Sequence, residues 1–145
     1  MITNEVQYRA TKAHLARFEQ ALANLQARAG RRPSKLAQTE IDAVASQADD
    51  LRAELAEYER LRSGAVSSFE AASLSELATV LVKARIARGW SQGRLAEALG
   101  VAEQQVQRYE STGYRSASLA RLCDVAAALG VTVTEEAHLV DPDAA

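Results

Sequence analysis

Two long runs of apolar residues, each stepping alternately by three and four positions, constrain this chain more than any other feature. The first holds Leu15, Phe18, Leu22, Leu25 and Ala29, and the second Ile41, Val44, Ala48, Leu51, Leu55 and Tyr58. Such spacing draws one narrow stripe along a helix, at the period of a coiled-coil seam. Gly30-Arg31-Arg32-Pro33 separates the two runs, with glycine suited to end one helix and proline unable to continue it. Asn4 with Gln7 has the form of a capping box at the front of the first run, and Ser34 stands where the second should start. At a rise of 1.5 Å per residue both helices would be roughly 40 Å long. The short connection makes them an antiparallel, coiled-coil-like hairpin. Two helices alone bury only a narrow seam. This hairpin should therefore associate with a second copy of itself or with another protein.

Residues 63–72, SGAVSSFEAA, break the pattern and read as a linker. Ser73-Leu-Ser-Glu76 then forms a capping box for a helix lasting to Arg88. Shorter helices are predicted over 92–99, 102–111 and 117–129. The β-branched alternation Val131-Thr-Val-Thr134 could add a short C-terminal strand. The expected organisation is a hairpin over 1–65 for dimerisation or partner binding, a linker at 66–73, a helical domain over 74–133 and a tail at 134–145. With only two prolines, seven glycines and few β-branched runs, the fold class is all-α.

Charge sets limits on partners. The net charge is −2, and the halves are nearly balanced, with ten basic and ten acidic residues in 1–72 and seven and nine in 73–145. A surface that attracts nucleic acid everywhere is excluded, although a local face is not. The single cysteine, Cys123, cannot form an intrachain disulfide. No apolar stretch approaches the length of a membrane span and no leader pattern is present, so the expected location is the cytoplasm.

The stretch from Ser91 to Glu110, SQGRLAEALGVAEQQVQRYE, carries the most specific signal. Ser91 fits an N-cap, and Leu95, Ala96 and Leu99 form one apolar face. Gly100 permits positive φ in a tight turn, and Val101 fills the corner. The next helix would bury Val106 and Tyr109, turning Glu103, Gln104, Gln107 and Arg108 outward. Two short helices joined through a glycine-containing turn make a helix-turn-helix pattern. A second helix of this kind fits the major groove of DNA. There glutamine can bond adenine, arginine guanine, and glutamate the cytosine amine. The same residues also suit an ordinary solvated face.

Residues 74–131 resemble the Cro and lambda-repressor-like helix-turn-helix domains, the XRE family. The likeness rests on ARGWSQGRLAEALGV, then QRYE, then SLARLCDVAAALGV. It implies a transcriptional regulator that binds double-stranded DNA. It implies base-facing roles for Glu103, Gln104 and Arg108, with Gln105 and Gln107 beside them, and a phosphate contact from Gln92 at the helix start next to Ser91. Arg85 and Glu110 match a family ion pair that clamps the first domain helix to the third. Three departures stand out. Glu103 is acidic near a polyanion, Gly93-Arg94 replaces an acidic pair, and the loop Ser111–Ser116 is long. With Ser91, the residues Arg94, Tyr114, Arg115 and Ser116 become candidate phosphate contacts.

Other chemistry is thin. His14 and His138 lack partners at metal-ligand spacing, Cys123 reads as a small buried hydrophobe, and no nucleophile–base pair can be assembled. Neither an enzyme nor a cofactor or metal site is expected. The basic tip Arg31, Arg32 and Lys35 reads as a solvated loop. The chain is expected to be a repressor acting as a homodimer or higher homo-oligomer. Small members of this family are often antitoxins, so the hairpin could also hold a toxin protein. The net acidity and Glu103 leave one alternative, a protein-interaction adaptor whose helix-turn-helix does not bind DNA.

Overall fold

The computed structural model describes residues 1–144. Its helices are α1 (Glu5–Ala29), α2 (Lys35–Arg62), α3 (Leu74–Ala87), α4 (Gln92–Leu99), α5 (Glu103–Ser111) and α6 (Leu119–Leu129). Side-chain caps set most of their starts. Asn4, Ser34, Ser73, Ser91 and Ser118 each accept an N–H from the first turn that follows. Gln7 reaches back to the Thr3 N–H at 2.8 Å and Glu76 to that of Ala72 at 2.7 Å. Both capping boxes therefore close one residue further out than the simplest form.

Helices α1 and α2 form the expected antiparallel hairpin, but its two ends differ. Far from the rest of the chain the seam is thin. Leu15, Phe18, Leu22, Leu25, Ile41, Val44 and Leu51 are only half-buried, and α1 buries no residue fully. Ala48 is completely enclosed where the helices lie close. Toward the C-terminal end of α2 the packing thickens, and Leu55, Tyr58 and Leu61 are buried.

Those three residues share a single apolar core with the C-terminal helices. Ile2, Leu55, Tyr58 and Leu61 join Leu81, Ile86, Leu95, Val106, Val125 and Leu129. The foot of the hairpin thus supplies one wall of the helical bundle. The segment before α1 crosses back to lie on that bundle, with Ile2 only 3% exposed. A polar tie follows the same contact, with Lys83 3.3 Å from Glu57, while within the hairpin the Tyr8 hydroxyl donates to Glu59 at 2.6 Å. The linker expected at 66–73 is therefore a connection over a continuous core, with Val66 and Phe69 packed against it.

The C-terminal strand does not form, and among the described residues there is no strand at all. Val131–Thr134 has the alternation of a strand but no neighbouring strand to complete its backbone hydrogen bonds. Only Val131 stays half-buried. Cys123 also departs from expectation, lying exposed on α6. It sits one position off the stripe of Leu122, Val125 and Leu129, so the helix turns it outward. Among the described residues no helix is long and apolar enough to cross a membrane.

Candidate nucleic-acid interface

The candidate interface is assembled at the α4–turn–α5 unit. Leu95 and Ala96 are buried, and Leu99 and Val101 half-buried, so α4 is seated by its apolar face. Gly100 adopts φ 67° and ψ 32°, a left-handed conformation that any Cβ would strain. Its turn closes with the Val101 N–H donating to the Ala96 carbonyl at 3.0 Å. Helix α5 begins without a side-chain cap, then buries Val106, Tyr109 and Glu110.

That burial fixes the opposite edge. Glu103, Gln104, Gln107 and Arg108 are exposed together on α5. Gln107 leans along the helix to donate to Glu103 at 3.4 Å. Gln105, expected beside the base-reading residues, is instead half-buried, because its position turns toward the packed side of the helix.

Beneath this edge lies a buried polar clamp. Arg85 donates to both Glu110 carboxylate oxygens, from Nε at 2.6 Å and from Nη2 at 2.8 Å. Both side chains are almost fully enclosed, at 2% and 1% exposure. Arg85 also donates to the Trp90 carbonyl at 2.7 Å and to the Thr3 carbonyl at 2.6 Å. The arrangement satisfies the guanidinium fork and pins α3, the α3–α4 turn, α5 and the N-terminal segment to one point.

Gln92 belongs to that clamp. Its Nε2 donates to Glu110 at 2.7 Å, while its Oε1 accepts from Asn4 at 3.3 Å. The side chain is buried, so the expected phosphate contact is corrected: its amide is engaged within the protein. Tyr114 is corrected likewise. It is 3% exposed, stacks on Tyr109 at 5.6 Å between ring centroids, and adopts a positive φ of 58°. Its buried hydroxyl has no hydrogen-bond partner. Burial, reinforced by the Glu110 charge, holds its phenol well above the usual range. It cannot reach a phosphate from there.

The other candidate phosphate contacts remain accessible. Ser91, Arg94, Arg115 and Ser116 are exposed. The Ser91 hydroxyl already accepts the Arg94 N–H at 3.0 Å. The Arg94 guanidinium lies 5.0 Å above the Trp90 ring. No group of three or more histidine, cysteine or acidic residues placed to hold a metal exists among the described residues.

Three residues of the clamp escaped the sequence reading: Thr3 and Asn4 from the N-terminal segment, and Trp90 through its carbonyl. No local signal points to the first two, because their clamp contacts cross more than eighty positions of sequence. Arg88 was missed as well. It donates to the Leu129 and Gly130 carbonyls, at 2.9 and 3.3 Å, where α6 leaves its last acceptors unpaired.

A helix-turn-helix family model matches residues 81–135. Residues 81–135 are thus similar to helix-turn-helix domains. No curated protein and no solved structure matches the chain. The matched stretch runs from inside α3 to just beyond α6 and leaves the hairpin outside it. The helix-turn-helix family is one of DNA-binding regulators. Within the domain here, α4 is the supporting helix and α5 carries the exposed polar edge.

Proposed function

We propose that the chain is a sequence-specific transcriptional repressor that binds an operator in double-stranded DNA as a dimer. One observation carries this reading: α5 turns Glu103, Gln104, Gln107 and Arg108 outward while Val106, Tyr109 and Glu110 anchor its back. A helix held this way can enter the major groove with long amides and one arginine facing base edges. Arg94, Arg115 and Ser116 flank that edge and would fix register on the phosphates.

The hairpin provides the dimer contact in this proposal. Beyond Leu15, which packs against the shared core, its distal seam leaves Phe18, Leu22, Leu25, Ile41, Val44 and Leu51 half-buried, and a second hairpin would cover them as a four-helix arrangement. Two copies would then present two α5 helices to half-sites about one helical turn apart, or a multiple of that. The same half-exposed seam favours a second reading, an antitoxin whose hairpin holds a toxin protein while the helix-turn-helix represses its own operon. Co-purification with the product of an adjacent reading frame distinguishes the two.

The test of the main reading is a salt titration of binding to a fragment carrying the protein's own promoter. A DNA reader loses affinity linearly in log salt, by about 0.9 per phosphate contacted. It also keeps its preference for that fragment over unrelated duplex. A protein-interaction adaptor shows no preference at any salt concentration, and that result would defeat the proposal.

A further inference from the structure

Glu103 is the one acidic residue on the exposed α5 edge, and it is placed with some constraint. It begins α5, so its charge lies at that helix's own positive end. Its carboxylate also rests against the first turn of α4. A Cβ built on Gly93 would stand 3.2 Å from Glu103 Oε2 and 3.4 Å from its Cδ, with the Ser91 hydroxyl 3.7 Å away. A side chain at Gly93 would press the carboxylate back by a few tenths of an ångström. Its other oxygen accepts from Gln107 at 3.4 Å. A single negative charge is therefore held at the junction of two helix starts, where unpaired backbone N–H groups would otherwise attract an anion.

We propose that Glu103 is a specificity-determining residue that acts by exclusion, its fixed carboxylate repelling the phosphates of unrelated duplex from the α4–α5 junction. This inference rests on the DNA-binding reading. The residue opposes the sequence-independent attraction that dominates non-specific binding. A site that places a cytosine amine against the carboxylate offsets the repulsion, because that amine donates to it. Unfavourable contacts with wrong partners are as effective a source of discrimination as favourable contacts with the right one. Gly93 is the positioning residue, since its bare backbone lets the carboxylate settle a few tenths of an ångström closer to α4.

The experiment measures binding of the full chain to a random-sequence duplex and to its promoter fragment, at low and high salt. Glu103→Gln keeps the size and the Gln107 contact but removes the charge. It should bind random duplex about fivefold more tightly at low salt, from one like-charge contact near the surface. The gain should shrink as salt screens it, and preference for the promoter fragment should fall. Gly93→Ala displaces the carboxylate and should shift affinity the same way by less. The double variant should match Glu103→Gln alone, because both act through one charge. Equal or weaker binding of random duplex by Glu103→Gln at low salt would overturn the inference. A parent protein that binds neither duplex would instead refute the DNA-binding reading itself, a separate and distinguishable failure.

Discussion

At the scale of single residues, Arg85 and Glu110 gather several hydrogen bonds at one buried point. A buried ion pair adds little when compared with a well-packed apolar replacement, but breaking it strands a charge in the core. Glu110→Ala should therefore lower stability by about 3–5 kcal/mol in urea unfolding. It should also release Gln92, whose amide loses its acceptor. A double replacement of Arg85 and Glu110 by apolar residues of similar size should cost much less than Glu110→Ala. A simple sum of the two single effects would contradict the clamp. Residue roles were the hardest part of this chain to read from its sequence. Burial of Val106 and Tyr109 followed from helical period, so the exposed edge at Glu103, Gln104, Gln107 and Arg108 was visible in advance. The enclosure of Gln92 was not, because it depends on Asn4, eighty-eight positions away. Tyr114 was opaque for a similar reason. A tyrosine in a loop of small polar residues looks exposed until the left-handed backbone folds its ring onto Tyr109.

At the scale of elements, the N-terminal segment ahead of α1 acts as a strap. Ile2 is seated in the shared core, and the Thr3 carbonyl caps the Arg85 guanidinium. Deleting residues 1–3 should destabilise the helix-turn-helix domain as well as the hairpin, by roughly 2–4 kcal/mol from one buried aliphatic side chain and a charged hydrogen bond. Because Trp90 is the only tryptophan and lies within the helix-turn-helix domain, its fluorescence reports that domain, while circular dichroism reports all the helices, the hairpin giving the larger share. In the intact chain the two signals should melt together. Two separated transitions would mean that hairpin and bundle are independent. Element boundaries were the most readable level. Serine and asparagine caps, glycine stops and the alternating three-four steps located every helix to within two residues. The strand expected after Gly130 failed because alternation records only one side of a ladder, and nothing in the local sequence supplies the other.

At the scale of the whole molecule, the hairpin is a lever fixed at its foot and thinly packed along its length. Ile2, Leu55, Tyr58 and Leu61 bind the foot into the helix-turn-helix core, so the distal seam has a defined direction relative to α5. In the proposed dimer that geometry sets the spacing of the two reading helices. Leu22→Glu combined with Val44→Glu places charge on the half-buried distal seam without touching the shared core. Sedimentation equilibrium should then report monomers with unchanged helicity, and operator affinity should fall on the order of a hundredfold or more as the second half-site contact is lost. A variant that remains dimeric would move the contact elsewhere. The composition break at residues 63–72 implied two units joined by a spacer, and the continuous core was not visible in it. Local polarity says nothing about what packs across the join.

The claim on which the account depends is that the outward edge of α5 selects DNA sequence, and the specificity ratio of one double variant tests it most directly. Gln104→Ala with Arg108→Ala removes two exposed side chains and no buried contact, so fold and helicity should persist. At about 1–3 kcal/mol per bidentate pair, preference for the promoter site over random duplex should drop by roughly tenfold or far more. Full preference retained by a folded double variant would show that this surface does not read DNA.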